Sequence, residues 1–327
     1  MIWIKFAISA AVIILAGTRL AGNARNITAF LGLGTIWGGI ILLPLATSLP
    51  ELVTCWRAGT IGVPDLALGN LLGSSLFNLS IVAFIDLVQG KGALLYRADP
   101  RHILTASLMI IILSIASVSI NNPLPVYLGW VGVDTLLILL LYLGGSYLIS
   151  RSRKDTKDDG EGGSPGRSAF YRSLLFFVVL GVIIVIAGVN LTDAANTIAV
   201  QTKLGNALVG SLLLAFSTTL PEIVTTYSAV RLGALDMALG NVFGASFMNL
   251  MLIFFADLFY REAALFSAVS QGHLISMSFV IAITAVAVFG LIYRTRRNIA
   301  YLGLDSIIIA LAFILAYIYL YYFEVYL

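Results

Sequence analysis

Charge is what this 327-residue chain lacks most: Asp, Glu, Lys and Arg make up 11% of it. A soluble domain carries about 25% charged residues, so a water-facing surface over the whole chain is excluded. Cysteine is nearly absent. Cys55 stands alone, which excludes an intrachain disulfide and any cysteine-rich metal site. The formal net charge is only +3, and the basic residues sit in short stretches rather than on one face, so no nucleic-acid partner is expected. No HExxH, GxGD or nucleophile–base pairing appears, so nothing calls for an enzyme, and no cofactor is expected.

What the chain has is apolar sequence, 60% of it, at a mean hydropathy of +1.00. Runs long enough to cross a hydrocarbon core of about 30 Å recur from end to end. This composition describes a multi-pass membrane protein, with lipid as its main surroundings. Tyr and Trp near span ends, as in YLYYFEVY, suit interfacial anchors.

The chain also repeats itself. LALGNLLGSSLFNL at 66–79 returns as MALGNVFGASFMNL at 237–250, a shift of 171 residues. Over 46–88 against 217–259, 20 of 43 positions are identical without a gap. The same shift maps Ala16-Gly17 onto Ala187-Gly188, Leu20 onto Leu191, His102 onto His273 and Asp134 onto Asp305. Residues 2–21 have the outline of a signal peptide, but their place in the repeat makes them part of the mature chain. The reading is a tandem duplication, with a first repeat over 1–150, a linker over 151–170 and a second repeat over 171–327.

Hydropathy, punctuated by glycine, proline and charge, predicts five spans per half. They lie near 2–22, 34–57, 64–88, 102–120 and 126–149, then 171–192, 206–230, 235–259, 273–293 and 299–322. An odd number inverts the second copy in the membrane. The expected fold is all-α, ten transmembrane helices as two inverted-topology five-helix repeats. With both termini outside, fifteen basic residues fall on inner loops and four (Lys5, Arg57, Lys203 and Arg261) on the outer side. That fits the positive-inside rule and makes the linker 151–168 cytoplasmic. The expected location is the cell membrane, of the prokaryotic inner or plasma type, and the expected unit is a monomer.

Ionisable groups inside spans cost about 2.5–3.5 kcal/mol each on insertion scales, so each needs a reason. Glu51 in TSLPE and Glu222 in TTLPE both sit mid-span, after a hydroxyl pair and a proline. Pro50 and Pro221 remove a backbone donor and should free carbonyls near Pro44–Thr47 and Ala215–Thr218. Gly69 with Gly73, and Gly240 with Gly244, permit close helix crossing, although GxxxG alone is common packing glue. Asn78 and Asn249 each add a neutral oxygen. Inversion about the midplane would gather Glu51, Asn78, Glu222 and Asn249 into an oxygen cage, suited to a hard cation such as Ca2+ and not to copper or zinc. Asp65 and Asp236 at helix starts are read as complements to the helix dipole. Asp86, Asp257, Asp134, Asp305, His102 and His273 are read as interfacial, and Cys55 as a packing residue.

TSLPE with GNLLGSSLFN, and TTLPE with GNVFGASFMN, resemble the paired alpha-repeats of the calcium/cation antiporter superfamily, in its sodium/calcium exchanger branch. The motif windows are 44–79 and 215–250. The resemblance implies ion sites between helices 2, 3, 7 and 8. It implies Ca2+ ligation by Glu51 and Glu222 with the backbone oxygens of Thr47 and Thr218. It implies Na+ contacts from Ser48, Ser74, Asn78, Thr219 and the carbonyls of Pro44 and Ala215. Two departures stand out: Ala245 where serine is common, and Asn249 where many prokaryotic members have aspartate. The function expected is secondary antiport of Ca2+ or a similar cation against Na+ by alternating access, with helices 1 and 6 sliding. The alternatives are a proton/cation antiporter of the same fold, and an antiporter of another divalent ion.

Overall fold

In lipid a backbone has no water to bond, so an apolar run must satisfy its N–H and C=O groups within itself, as a helix. The computed structural model describes residues 1–31, 47–89, 94–152, 166–231, 235–293, 298–299 and 302–326. Among these, nine helices are long and apolar enough to span a membrane. The expected span 34–57 is described from Thr47 onward only; Pro44, and most of the linker, lie outside the described residues.

The first repeat contributes α1 (Ile2–Leu31), α2 (Leu49–Thr60), α3 (Pro64–Gln89), a short α4 (Leu94–Arg97), α5 (His102–Asn121) and α6 (Val133–Ser152). The second contributes α7 (Arg167–Thr202), α8 (Asn206–Val209), a π-turn (Gly210–Leu214), α9 (Ala215–Arg231), α10 (Leu235–Phe259), a short α11 (Leu265–Ala268), α12 (His273–Tyr293) and α13 (Leu304–Tyr326). α3 and α10 pack together at the centre, flanked by α5 and α12, while α1 and α7 lie along one another outside α2 and α9. α1 is thus an integral part of the fold, as its place in the repeat predicted.

Three expectations need correction. α1 ends at Leu31 rather than near 22, and α7 runs from Arg167 to Thr202 rather than 171–192. At 36 residues α7 is about 54 Å long, well beyond a hydrocarbon core. Hydropathy marks where lipid ends, not where hydrogen bonding ends. Second, the spans expected from 126 and 299 begin as two-stranded antiparallel hairpins, Tyr127–Leu128 with Val131–Gly132 and Asn298–Ile299 with Leu302–Gly303. Gly129 turns the first at φ 70°, a conformation that suits glycine.

Third, the acidic pairs are not merely interfacial. Asp86 and Asp257 are fully buried. Asp257 accepts N–H bonds from Leu265 at 2.7 Å and Gly132 at 2.8 Å, and Asp86 from Leu94 at 3.1 Å and Gly303 at 2.6 Å. Each carboxylate therefore ties a short helix of its own repeat to the hairpin of the other. Asp134 is also buried, against the Leu124 amide. The histidines follow the same crossed logic. His273 Nε2 lies 3.0 Å from Asp65 Oδ1, wholly buried, and His102 Nε2 lies 3.7 Å from Asp236 Oδ1. Asp65 and Asp236 do occupy first helical turns, but each also accepts a backbone N–H across the repeats, from Ser270 and Asp99. A shift of 171 exchanges the Asp86 bonds with those of Asp257, and the Asp65 contacts with those of Asp236, which is what a two-fold inversion of duplicated sequence requires.

Candidate functional site

The site is built where α2 and α9 meet α3 and α10. Pro50 stands in the first turn of α2, where its missing N–H costs nothing, and a turn at Ser48 precedes it. In the second repeat the helix continues through Pro221, so the Ser217 carbonyl loses its helical donor. There the larger irregularity lies upstream, in the π-turn. That feature, a frequent companion of functional sites, carried no signal readable in GSLLL.

The ten described candidates, Thr47, Ser48, Glu51, Ser74, Asn78, Ala215, Thr218, Thr219, Glu222 and Asn249, are all buried. Six of them, Thr47, Glu51, Ser74, Thr218, Glu222 and Asn249, make contacts across the repeats. Ser74 Oγ lies 3.5 Å from both Glu51 Oε1 and Thr218 Oγ1. Thr218 also stands beside Glu51, and Thr47 beside Glu222, so each carboxylate faces the hydroxyl of the opposite copy. Asn249 Nδ2 donates to Ser75 Oγ at 3.4 Å. The Ala215 carbonyl, expected to be free, accepts from Thr218 Oγ1 at 3.3 Å.

Sequence reasoning passed over Asn70, although GN recurs in both copies. Asn70 is fully buried, donates to Thr54 Oγ1 at 2.7 Å and accepts from Thr218 Oγ1 at 3.1 Å. It thereby fixes a hydroxyl contributed by the other repeat. Its counterpart Asn241 donates to Thr225 Oγ1, the match of Thr54, at 3.3 Å and more closely to Thr226 Oγ1 at 2.7 Å.

Five buried side-chain oxygens at this crossing have no hydrogen-bond partner: Ser48 Oγ, Glu51 Oε2, Asn78 Oδ1, Thr219 Oγ1 and Glu222 Oε2. Leaving one such group unpaired costs about 1–3 kcal/mol, and more for a charged one. Five together, from both repeats, are a donor set for something that is not a hydrogen-bonding side chain. Two carboxylates with neutral amide and hydroxyl oxygens suit a hard cation.

Known proteins share this fold. A putative antiporter, CaxA, of Alkalimonas amylolytica is 25% identical over 246 residues, covering 74% of this chain and 75% of the relative. An uncharacterized membrane protein of Methanocaldococcus jannaschii is 24% identical over 214 residues, 65% of this chain and 66% of the relative. The chain thus spans about two thirds to three quarters of these relatives. Among solved structures, an H+/Ca2+ exchanger, CAX, superposes with a TM-score of 0.74 at 14% identity, covering 99% of this chain and 85% of that one. The sodium-calcium exchanger NCX_Mj gives 0.61 at 18% identity, covering 97% and 98%. The profile described as sodium/calcium exchanger protein matches residues 1–148 and 172–326. With that match running over both repeats of the inverted helical chain, the protein belongs to the sodium/calcium exchanger protein family.

Proposed function

We propose that this chain exchanges Ca2+ or a similar divalent cation for Na+ by alternating access, using Glu51 and Glu222 as the charged ligands. The observation that carries the reading is the set of five unpaired oxygens contributed by both repeats. Thr47, Ser48, Ser74, Asn78, Thr218, Thr219 and Asn249, with the Ala215 and Pro44 carbonyls, complete the proposed neutral donors. Two bare carboxylates are costly to carry through a low-dielectric barrier. One divalent ion or several Na+ offset that cost, so loaded states cross and the empty one does not. Exchange then becomes obligatory.

The packing of α1 and α7 suggests how the site changes sides. A Cβ at Gly17 would meet Pro221 at 2.8 Å, whereas one at its counterpart Gly188 would meet Val53 at 2.7 Å. The counterpart of Pro221 is Pro50, three residues before Val53. The two copies of one contact thus differ by three residues, or about 4.5 Å along a helix. Sliding the α1–α7 pair by that amount would interchange the environments of the two repeats.

A proton is the competing counter-ion. Glu51 and Glu222 lie within each other's field, and two such carboxylates can accept a proton in place of a metal charge. Radiolabelled Ca2+ uptake into proteoliposomes, with Na+ and pH gradients imposed separately, decides. Uptake should require Na+ on the opposite side and persist when the pH gradient is clamped. Uptake driven by pH alone would establish proton exchange, and uptake indifferent to both would mean a passive pathway.

We also place both termini outside and residues 151–168 in the cytoplasm, on the fifteen-to-four basic asymmetry. Protease should cut the linker from the cytoplasmic face only. Cleavage confined to the outer face would invert the whole assignment.

A further inference from the structure

An inverted duplication with identical halves would hold its site equally well open to either side. One contact of this chain has no mirror image. At the end of α2, Arg57 Nε lies 2.7 Å from Asp193 Oδ1 of α7, and a second guanidinium nitrogen lies 3.1 Å from Oδ2. The fork is bidentate, the geometry that makes arginine–carboxylate pairs specific. Both side chains are about one third exposed. The same shift of 171 carries Arg57 onto Ser228 and Asp193 onto Gly22. Neither counterpart is charged, so no mirror-image pair can form at the opposite face.

The pair sits at the sliding contact. Asp193 follows Gly188 by five residues, and Arg57 follows Val53 by four, so ion pair and glycine contact belong to one register. In the other register, the one α1 shows against α9, Gly188 would stand opposite Pro50. Asp193 would then move back about 4.5 Å along α2, away from Arg57, and the fork would open. Arg57 also lies six residues after Glu51 on the same helix.

We propose that Arg57 and Asp193 are positioning residues that fix the Glu51 helix against α7 in one register only, and so set a resting bias in which face the ion site addresses. The proposal rests on the exchange reading. Its physical basis is population arithmetic: affinity measured from one face is reduced by the fraction of molecules not open to that face. A contact present in one register and absent from its mirror changes that fraction directly.

The test compares half-saturating Ca2+ at the two faces, in right-side-out and inside-out vesicles carrying the full chain. Arg57→Ser should change the ratio of the two values by about two- to fivefold, the size expected of a partly exposed ion pair. Asp193→Arg should move it in the same direction, and the double exchange Arg57→Asp with Asp193→Arg should restore it. Gly22→Asp with Ser228→Arg, which builds the missing mirror pair, should move the ratio the opposite way. An unchanged ratio in Arg57→Ser, no restoration by the charge swap, or a mirror variant shifting in the same direction as Arg57→Ser would each overturn the proposal.

A second readout separates this from the exchange reading itself. Cys55 is the sole cysteine, buried on α2 two residues before Arg57. Its alkylation rate from one face follows register whether or not Ca2+ is the cargo. If the unaltered protein shows no trans-ion-dependent flux, the exchange reading fails. The positioning role then stands if Arg57→Ser changes the alkylation rate and the charge swap restores it, and falls if the rate is unmoved.

Discussion

Glu51→Gln and Glu222→Gln are each expected to bring Ca2+-dependent exchange to background while leaving the protein folded. Glutamine keeps the shape and removes the charge. Both carboxylates are buried, and each has an oxygen, Oε2, with no protein partner. Removing one charge from a buried, charge-balanced arrangement costs about 3–5 kcal/mol, which is a loss of more than a hundredfold in site occupancy. The same unpaired oxygens mean that the ion-free protein gives up no hydrogen bond there when the charge goes. Thermal unfolding without Ca2+ should therefore be unchanged or slightly raised in either variant. Ca2+ should raise the unfolding temperature of the unaltered protein, by mass action on the folded state, and fail to do so in the variants. Exchange at near-unaltered rates in either variant, or an undiminished Ca2+-dependent shift, would remove these glutamates from the site.

The candidate ligands were easier to pick out in the sequence than the course of the backbone. Glu51 and Glu222 are visible as anomalies because charge inside apolar runs needs a reason, Asn78 as a repeated amide beside them, and Ser48 and Thr219 through the family resemblance. All five prove to be buried with an unpaired oxygen. What hydropathy could not carry is anything decided by geometry between the copies. His273 meets Asp65 across 208 residues, and Asp86 meets Gly303 across 217; neither pair follows from local pattern. The hairpin at 127–132 was hidden because YLGWVG is apolar enough to resemble the start of a span. The π-turn was hidden because backbone register leaves no compositional trace.

Gly73→Ala is expected to disable the protein through the backbone rather than through any ligand. α3 and the π-turn cross almost in main-chain contact. A Cβ at Gly69 would lie 2.7 Å from the Ala207 carbonyl oxygen, one at Gly210 would lie 2.7 Å from that of Leu66, and one at Gly73 would lie 2.5 Å from Ser211 Cα. Main chain cannot swing aside as the end of a long side chain can, so a methyl at Gly73 must push the π-turn away. The Ser211 carbonyl there already accepts a hydrogen bond from the Tyr317 hydroxyl at 2.7 Å, so displacement breaks a second interaction. Ala215 and Thr218, two of the proposed donors, begin directly downstream. Overpacking of this kind costs about 1–3 kcal/mol, and the displaced donors should lower exchange by about tenfold or more, a 1 Å error in a site being able to cost a hundredfold. Gly22→Ala is the control: it is helical, with nothing within 4 Å of the added methyl, and alanine there should be neutral or stabilising by up to about 1 kcal/mol. Unfolding temperature and Ca2+ flux measured on both variants give the answer. If Gly73→Ala matches Gly22→Ala in both, the close crossing of α3 with the π-turn does not set the position of the ligands.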